Sequence, residues 1–372
     1  MDTGKINILM VLDNTGRGGS QSFVMNVCRS IDRSRFHIDI AVARNFHGGY
    51  EDEFKKLGCR IIRLPHFNVA NYFRFVGEWN EFLSTNRYDI IHGNVSSTAK
   101  IYLKIAHKYG CRTILHSHSA SYRGGWLERF VKKIFTHGAY RHADMWFACS
   151  DEAAFRVFNN RFRNNPRYHL IPNAIDVESY CFDTDCREKM RKQLGFGDDN
   201  YVIGHVGSFS HPKNHTFLLD IFKEFHRRHP QSRLLIVGDG YLRGKIETKI
   251  QQLGLYNDVT LTGNVGNVKE LLMAMDAMVF PSLFEGFGFA PLEAQASGLP
   301  VAMSDTVPNT VILSDLVRTM PLSESPQAWC DVIEQSKYGD RQQYNRIIAE
   351  TDFNINKMVH TLENLYSTLG NK

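Results

Sequence analysis

The segment Phe280-Pro-Ser-Leu-Phe-Glu285-Gly-Phe-Gly-Phe-Ala-Pro-Leu-Glu293 sets two carboxylates and two glycines directly after an apolar run, Asp276-Ala-Met-Val-Phe280. The run has the character of a buried parallel strand, and Pro291 suits the first position of a helix. The stretch holding Gly286 and Gly288 is then a strand-to-helix loop, where free backbone N–H groups and the positive helix end favour an anion. Carboxylates do not bind phosphate, but each accepts hydrogen bonds from hydroxyl groups. A phosphate cradle with such an acceptor at either end suits a sugar and a ribose. For Glu293 a structural alternative stands beside this, since an acidic residue in a first helical turn complements the helix dipole. Glu285 precedes the turn and gains nothing from it.

Other strand ends carry compatible residues. The turn Gly207-Ser208-Phe-Ser-His-Pro-Lys213-Asn214 puts a lysine at a helix start, where the dipole disfavours a cation. A bound phosphate would account for it, and a solvated surface lysine is the alternative. Val237-Gly238-Asp-Gly240 and Leu261-Thr-Gly263 supply two more glycine-bearing loops, so four successive loops outline one pocket rim. Gly18 and Gly19 follow the first apolar run as a further phosphate-contact candidate, or as a turn that only relieves backbone strain. His116 and His118 close another strand, with His116 expected inside it and His118 just beyond.

The elements that must position these residues alternate regularly. Runs at 6–12, 38–42, 60–64, 90–92, 113–116, 145–149 and 168–171 read as strands separated by helical segments. After a pause near Asp176, a second series runs through 201–206, 233–237, 259–261, 277–280, 300–302 and 317–320. Such alternation predicts an α/β chain of two Rossmann-like, doubly wound parallel-sheet domains with a cleft at the strand carboxyl ends. The boundaries expected are 1–176 and 177–353, with a terminal helix over 354–372 packing back on the first domain.

A chain of 372 residues is long enough for two cores, and 43% hydrophobic with 22% charged residues is a globular balance. The net charge of +5 fits an anionic substrate, and no aromatic-basic motif points to nucleic acid. Seven scattered cysteines read as reduced thiols, which together with the lack of a leader or membrane span suggests a cytoplasmic protein. Asp183-Thr-Asp185 resembles a metal-binding pair but lies in the interdomain stretch, and no metal or other cofactor is expected. The segment 123–135 could lay Trp126, Phe130 and Ile134 on one side and Arg129, Lys132 and Lys133 near the other, as a helix at the inner-membrane surface does; an ordinary sheet-covering helix is the alternative.

Taken together, the Gly18-Gly19 turn, Gly207 with Lys213-Asn214, Val237-Gly-Asp-Gly240, Pro172-Asn173 and the Glu285…Glu293 signature resemble the retaining glycosyltransferases of family 4, of GT-B architecture. The resemblance implies donor binding by Gly18, Gly19, Ser208, Lys213, Gly286, Phe287, Gly288, Phe289 and Glu293, and catalysis by His118 and Glu285. In that family the first glutamate contacts the donor sugar, the second holds the ribose, and the lysine neutralises the diphosphate. The departing diphosphate takes the acceptor's proton during front-face attack, so the histidine need not be a base. The implied substrates are a nucleotide-diphosphate sugar, of UDP by expectation, and a glycan or lipid-linked acceptor of a bacterial surface polysaccharide. Two departures stand out: Ser208 where many members carry arginine, and Thr310 where a glutamate is frequent. They motivate the alternative of a non-catalytic sugar-nucleotide-binding partner, beside that of a nucleotide-sugar epimerase.

Overall fold

The structure is a computed structural model that describes residues 4–16, 18–43, 49–118, 133–336 and 339–370. It divides into two compact units, residues 1–175 with 355–372, and residues 176–354.

In the first unit the strands are β1 (Ile6–Leu12), β2 (Phe36–Val42), β3 (Ile61–Arg63), β4 (Ile90–Gly93), β5 (Arg112–Ser117), β6 (Met145–Ala148) and β7 (Tyr168–Leu170). Between them run α1 (Gly19–Ser30), α2 (Glu51–Lys56), α3 (Tyr72–Thr85), α4 (Ala99–Lys108) and α5 (Asp151–Phe158). The sheet is parallel throughout, in the order β3-β2-β1-β4-β5-β6-β7. Successive side chains of a strand point to opposite faces, so β1 serves two cores. Leu9 and Val11 join Trp79, Tyr102 and Leu103 on one face, while Ile8, Met10 and Leu12 join Phe23, Val24 and Val27 on the other. That second face is shared by the C-terminal helix Ile355–Gly370, whose Met358, Leu362, Tyr366 and Leu369 fall at helical spacing and are buried.

In the second unit β8 (Val202–Val206), β9 (Arg233–Val237), β10 (Val259–Leu261), β11 (Ala277–Phe280), β12 (Val301–Ser304) and β13 (Val317–Met320) form a parallel sheet in the order β10-β9-β8-β11-β12-β13. Its helices are α6 (Thr184–Leu194), α7 (His215–Arg228), α8 (Arg243–Gln252), α9 (Val268–Ala274), α10 (Phe289–Ala296), α11 (Pro326–Glu334) and α12 (Arg341–Ala349). The strand order reverses between β8 and β11, and between β1 and β4 in the first unit. Loops leaving the carboxyl ends of strands at such a reversal splay apart, which is where open α/β sheets hold ligands.

One local expectation changes. Helix α10 starts at Phe289, so Pro291 is its third residue rather than its first; the missing N–H costs nothing there because the first turn has no intrahelical acceptors for its donors. Asp183 caps α6, its side chain accepting from the Cys186 N–H at 3.1 Å. That accounts for the acidic residue without a metal, and among the described residues no group of His, Cys, Asp and Glu converges as an ion site. All seven cysteines are free thiols. Most of segment 123–135 lies outside the described residues, and among those described no helix is long and apolar enough to cross a membrane.

Candidate active site

At the β8/β11 reversal the loop 207–214 and the loop 281–288 supply the two charges singled out in the sequence. Asn214 adopts a left-handed conformation (φ +53°), which turns the chain sharply from Lys213 into α7. The lysine stem lies back across Gly207, where a Cβ would stand 3.1 Å from both its Cδ and Cε. The missing Cβ at 207, rather than an unusual backbone angle, is what lets the stem approach this closely. The ammonium ends 2.7 Å from Glu285 Oε1 and 4.5 Å from the centre of the Phe280 ring. Among the chain's own groups its partner is thus the Glu285 carboxylate.

Glu285 is held by a second donor. Ser282 Oγ donates to the same Oε1 at 2.7 Å, and the Ser282 carbonyl accepts from Ser304 Oγ and Thr306 Oγ1, each at 2.6 Å. Strand ends β11 and β12 therefore fix the carboxylate together. With Oε1 taken by two donors, Oε2 is the oxygen left for a ligand hydroxyl. Sequence reasoning passed over Ser282, Ser304 and Thr306; hydroxyl residues at consecutive strand ends were the available signal. Lys213 and Glu285 are both largely buried, at 19% and 13% side-chain exposure, so separating them without a replacement partner for each is costly.

The remaining loops of the rim are laced to these. Phe209 N–H donates to the Asp239 carbonyl at 2.9 Å, Gly238 N–H to the Gly263 carbonyl at 3.1 Å, and Leu283 N–H to the Pro212 carbonyl at 2.7 Å. Gly238, at φ +140°, and Gly240 both abut the backbone of 207–209, which leaves no room for a side chain. The four loops expected to share one rim are thus adjacent. Ser208 is exposed, its hydroxyl 3.0 Å from that of Ser210, and Thr310 is exposed on the turn Asn309–Val311.

Gly288, at φ +111°, opens α10 without a side-chain cap, so its first-turn N–H groups are available to a ligand or solvent. Phe287 is stacked against Phe353 (5.7 Å, 24°) and meets Phe289 edge-on at 5.0 Å, which anchors the loop on either side of Gly288. Glu293 lies one turn on and is largely buried. Burial pushes its carboxyl up to about 7, while a hydrogen bond from Tyr180 and the charge of Lys213 pull the other way. The fold thus favours its protonated form, and the stability it contributes is complete below the ordinary value of 4.5 and lost as pH rises through about 7. Glu293→Gln, which keeps the shape of the neutral acid, is expected to gain about 1–3 kcal/mol over the wild type at pH 8.5 and nothing at pH 4. Thermal melts at the two pH values measure this, and an equal gain at both would show that ionisation is not its source.

Gly18, Gly19 and His118 belong to the first unit, and the other residues named above to the second. Gly18 precedes α1 in an extended conformation, where a Cβ would strike the Gln21 amide; Gly19 has open space. Asn14 braces this turn, accepting from Gly16 N–H at 2.8 Å and Gln21 Nε2 at 3.2 Å. His118 follows β5 directly. Its Nε2 is 2.7 Å from Asn94 Oδ1, at the end of the neighbouring β4. The Asn94 amide nitrogen donates to the His92 carbonyl, so its oxygen is the atom facing His118, and His118 Nε2 must carry the proton. Burial, and next the charge of Arg156, depress the basicity of the ring to about 3. His118 is a neutral imidazole throughout the physiological range.

The model of the glycosyl transferases group 1 matches residues 186–348, and that of glycosyltransferase family 4 matches residues 17–179. The Bacillus subtilis protein named "Putative glycosyltransferase EpsF" is 30% identical over 375 residues, covering 99% of this chain and 98% of its own. The UDP-Gal:alpha-D-GlcNAc-diphosphoundecaprenol alpha-1,3-galactosyltransferase of Escherichia coli is 25% identical over 305 residues, 77% of either chain. Among solved structures, Anabaena HepE in complex with UDP superposes with a TM-score of 0.79 over 98% of this chain and 100% of that one, at 18% identity. The paired Rossmann-like sheets are those of the GT-B glycosyltransferases, and the chain belongs to glycosyltransferase family 4.

Proposed function

We propose that the protein is a retaining glycosyltransferase that moves a sugar from a UDP-sugar to a glycan or lipid-linked acceptor of a bacterial surface polysaccharide, without a metal or other cofactor. The observation that carries this reading is the Lys213–Glu285 pair beside the uncapped start of α10. A cation and free amides suit the diphosphate, while Glu285 Oε2 suits a sugar hydroxyl and Glu293 the ribose. UDP is favoured because HepE was solved with it and the Escherichia coli relative is named for a UDP-galactose donor and a diphosphoundecaprenol-linked acceptor. A lipid-linked acceptor would set the work at the cytoplasmic face of the membrane.

In this reading the acceptor hydroxyl bonds to the anomeric carbon on the face from which the diphosphate leaves. The carbon–oxygen bond to phosphate breaks, and the hydroxyl proton passes to the departing phosphate oxygen. Lys213 and the α10 amides stabilise the charge that accumulates there, and Glu285 holds the sugar in register. His118, neutral and a fixed hydrogen-bonding group of the first unit, has by the family resemblance the task of stabilising charge rather than removing a proton.

Thermal melts with UDP, GDP and ADP test the donor class. Ligand at about a hundred times its Kd stabilises by about 2.7 kcal/mol, a rise of roughly 5–10 °C for a unit of this size. UDP is expected to give that rise and the other two much less. A larger shift with GDP would reassign the base, and an inverted anomeric product by NMR would overturn retention.

A further inference from the structure

Behind His118, on the sheet face covered by α1 and the C-terminal helix, lies a buried polar chain that donor binding does not use. The Tyr366 hydroxyl is 2.7 Å from His92 Nδ1, and His92 Nε2 is 3.1 Å from His116 Nδ1. The His116 ring lies 3.8 Å from that of His118, centroid to centroid, at 32°. Tyr366, His92 and His116 are all fully buried. Phe23 closes the site from α1, its ring 4.7 Å from His116 and 5.1 Å from His118, and Phe147 of β6 lies 5.8 Å from His116. Arg156 of α5 and Asn173 are the other groups that act on His118.

The protons of this chain have a direction. If Tyr366 O–H donates to His92 Nδ1, then His92 Nε2–H donates to His116 Nδ1, and His116 carries its proton on Nε2. Among the described residues that N–H has no hydrogen-bond partner, and the Ile171 backbone carbonyl is the group that favours a proton on this ring. The opposite polarity would make His92 Nδ1 the donor and leave the buried Tyr366 proton without an acceptor among the described residues. The first arrangement is the better satisfied one. It ties His116 at Nδ1, Phe23 and Phe147 pack edge-on against the ring, and its face is the surface on which His118 rests.

We propose that Tyr366, His92 and His116 are positioning residues for catalysis: the hydrogen-bonded chain fixes the plane of His116, which sets the plane of His118, while Asn94 sets its tautomer. The C-terminal helix thereby takes part in the chemistry of the first unit without touching substrate. The inference rests on the reading of His118 given above. All three histidines are neutral, and a charge on one would repel its neighbours and Arg156.

The test is a double-mutant cycle of Tyr366→Phe with His118→Ala, followed by donor turnover. Tyr366→Phe removes one oxygen and keeps the ring that packs the helix. In the wild-type background it is expected to lower kcat by about 10- to 100-fold at unchanged donor KM, as small misplacements of catalytic groups do. In the His118→Ala background it should lower kcat no further. Equal losses in both backgrounds, or none in the first, would make Tyr366 a packing residue only and overturn the proposal. If His118→Ala itself left kcat unchanged, the reading of His118 would fail, a result distinct from the other two. Nitrogen-15 NMR of the wild-type imidazoles gives a check that no variant's folding can spoil. His92, His116 and His118 are each expected as the neutral Nε2–H form, and an Nδ1–H form of His116 would reverse the chain and overturn the mechanism.

Discussion

Replacing Lys213 by alanine is expected to weaken UDP binding by about 10- to 100-fold, the value of a hydrogen bond to a charged group, and to depress transfer at least as much. Replacing Glu285 is expected to do something different. The ammonium of Lys213 is engaged by Glu285 at 2.7 Å, so a diphosphate competes with that carboxylate for it. Glu285→Ala removes the competitor and leaves UDP affinity unchanged or tighter. Sugar transfer in this variant falls by about 10²- to 10³-fold, because the acceptor for the sugar hydroxyl is gone and that contact serves mainly to place the reacting carbon. Glu285→Gln keeps the hydrogen bond from Ser282 but not the full ion pair, and should lie between. Calorimetry with UDP and turnover of the full donor separate the two roles. Parallel losses of UDP affinity in Lys213→Ala and Glu285→Ala would mean that the pair acts only as a strut. Thermal melts of each variant separate folding from function, since removing one partner of a largely buried pair costs about 3–5 kcal/mol against a total of about 5–15.

Much of this arrangement could be read along the chain. Strands such as β1, β9 and β11 are short β-branched or apolar runs flanked by polar turns, and a run buried on both faces needs no partner to be recognised. Glu285, Lys213 and His118 were visible because each sits at a strand end in a residue type that the local structure does not require. What escaped was long-range. Lys213 and Glu285 are 72 residues apart, and only the adjacency of β8 and β11 brings them into contact. The hydroxyls of Ser304 and Thr306 reach Ser282 across the next strand pair. Likewise the alternation of Ile114, His116 and His118 put both histidines on one sheet face, yet His92 joins them through strand register and Tyr366 through the return of a helix from the far end of the chain. The helix α10 was placed two residues late because Pro291 was given the position most common for proline, although its lack of an N–H is tolerated anywhere in the first turn.

His118→Ala is the second large effect, and its form follows from the neutrality of the ring. Transfer should fall by about 10²- to 10³-fold, while UDP affinity stays at the wild-type level, because the proposed diphosphate contacts come from Lys213 and α10 in the other unit. Truncation also removes a ring packed on His116 and Phe23, at a cost of about 2–4 kcal/mol that the fold can absorb. His118→Gln, with an amide able to meet Asn94, should recover part of the loss. The pH profile separates a fixed dipole from a base. A histidine acting as base near its ordinary value would give the wild type an acid limb in kcat near pH 6.5 that the variant lacks. Here burial and Arg156 hold His118 neutral down to about 3, so wild type and His118→Gln should share one profile between pH 5.5 and 8, displaced only in height. An acid limb near pH 6.5 that vanishes with the substitution would show His118 titrating in the working enzyme, and would make proton removal rather than charge stabilisation its task.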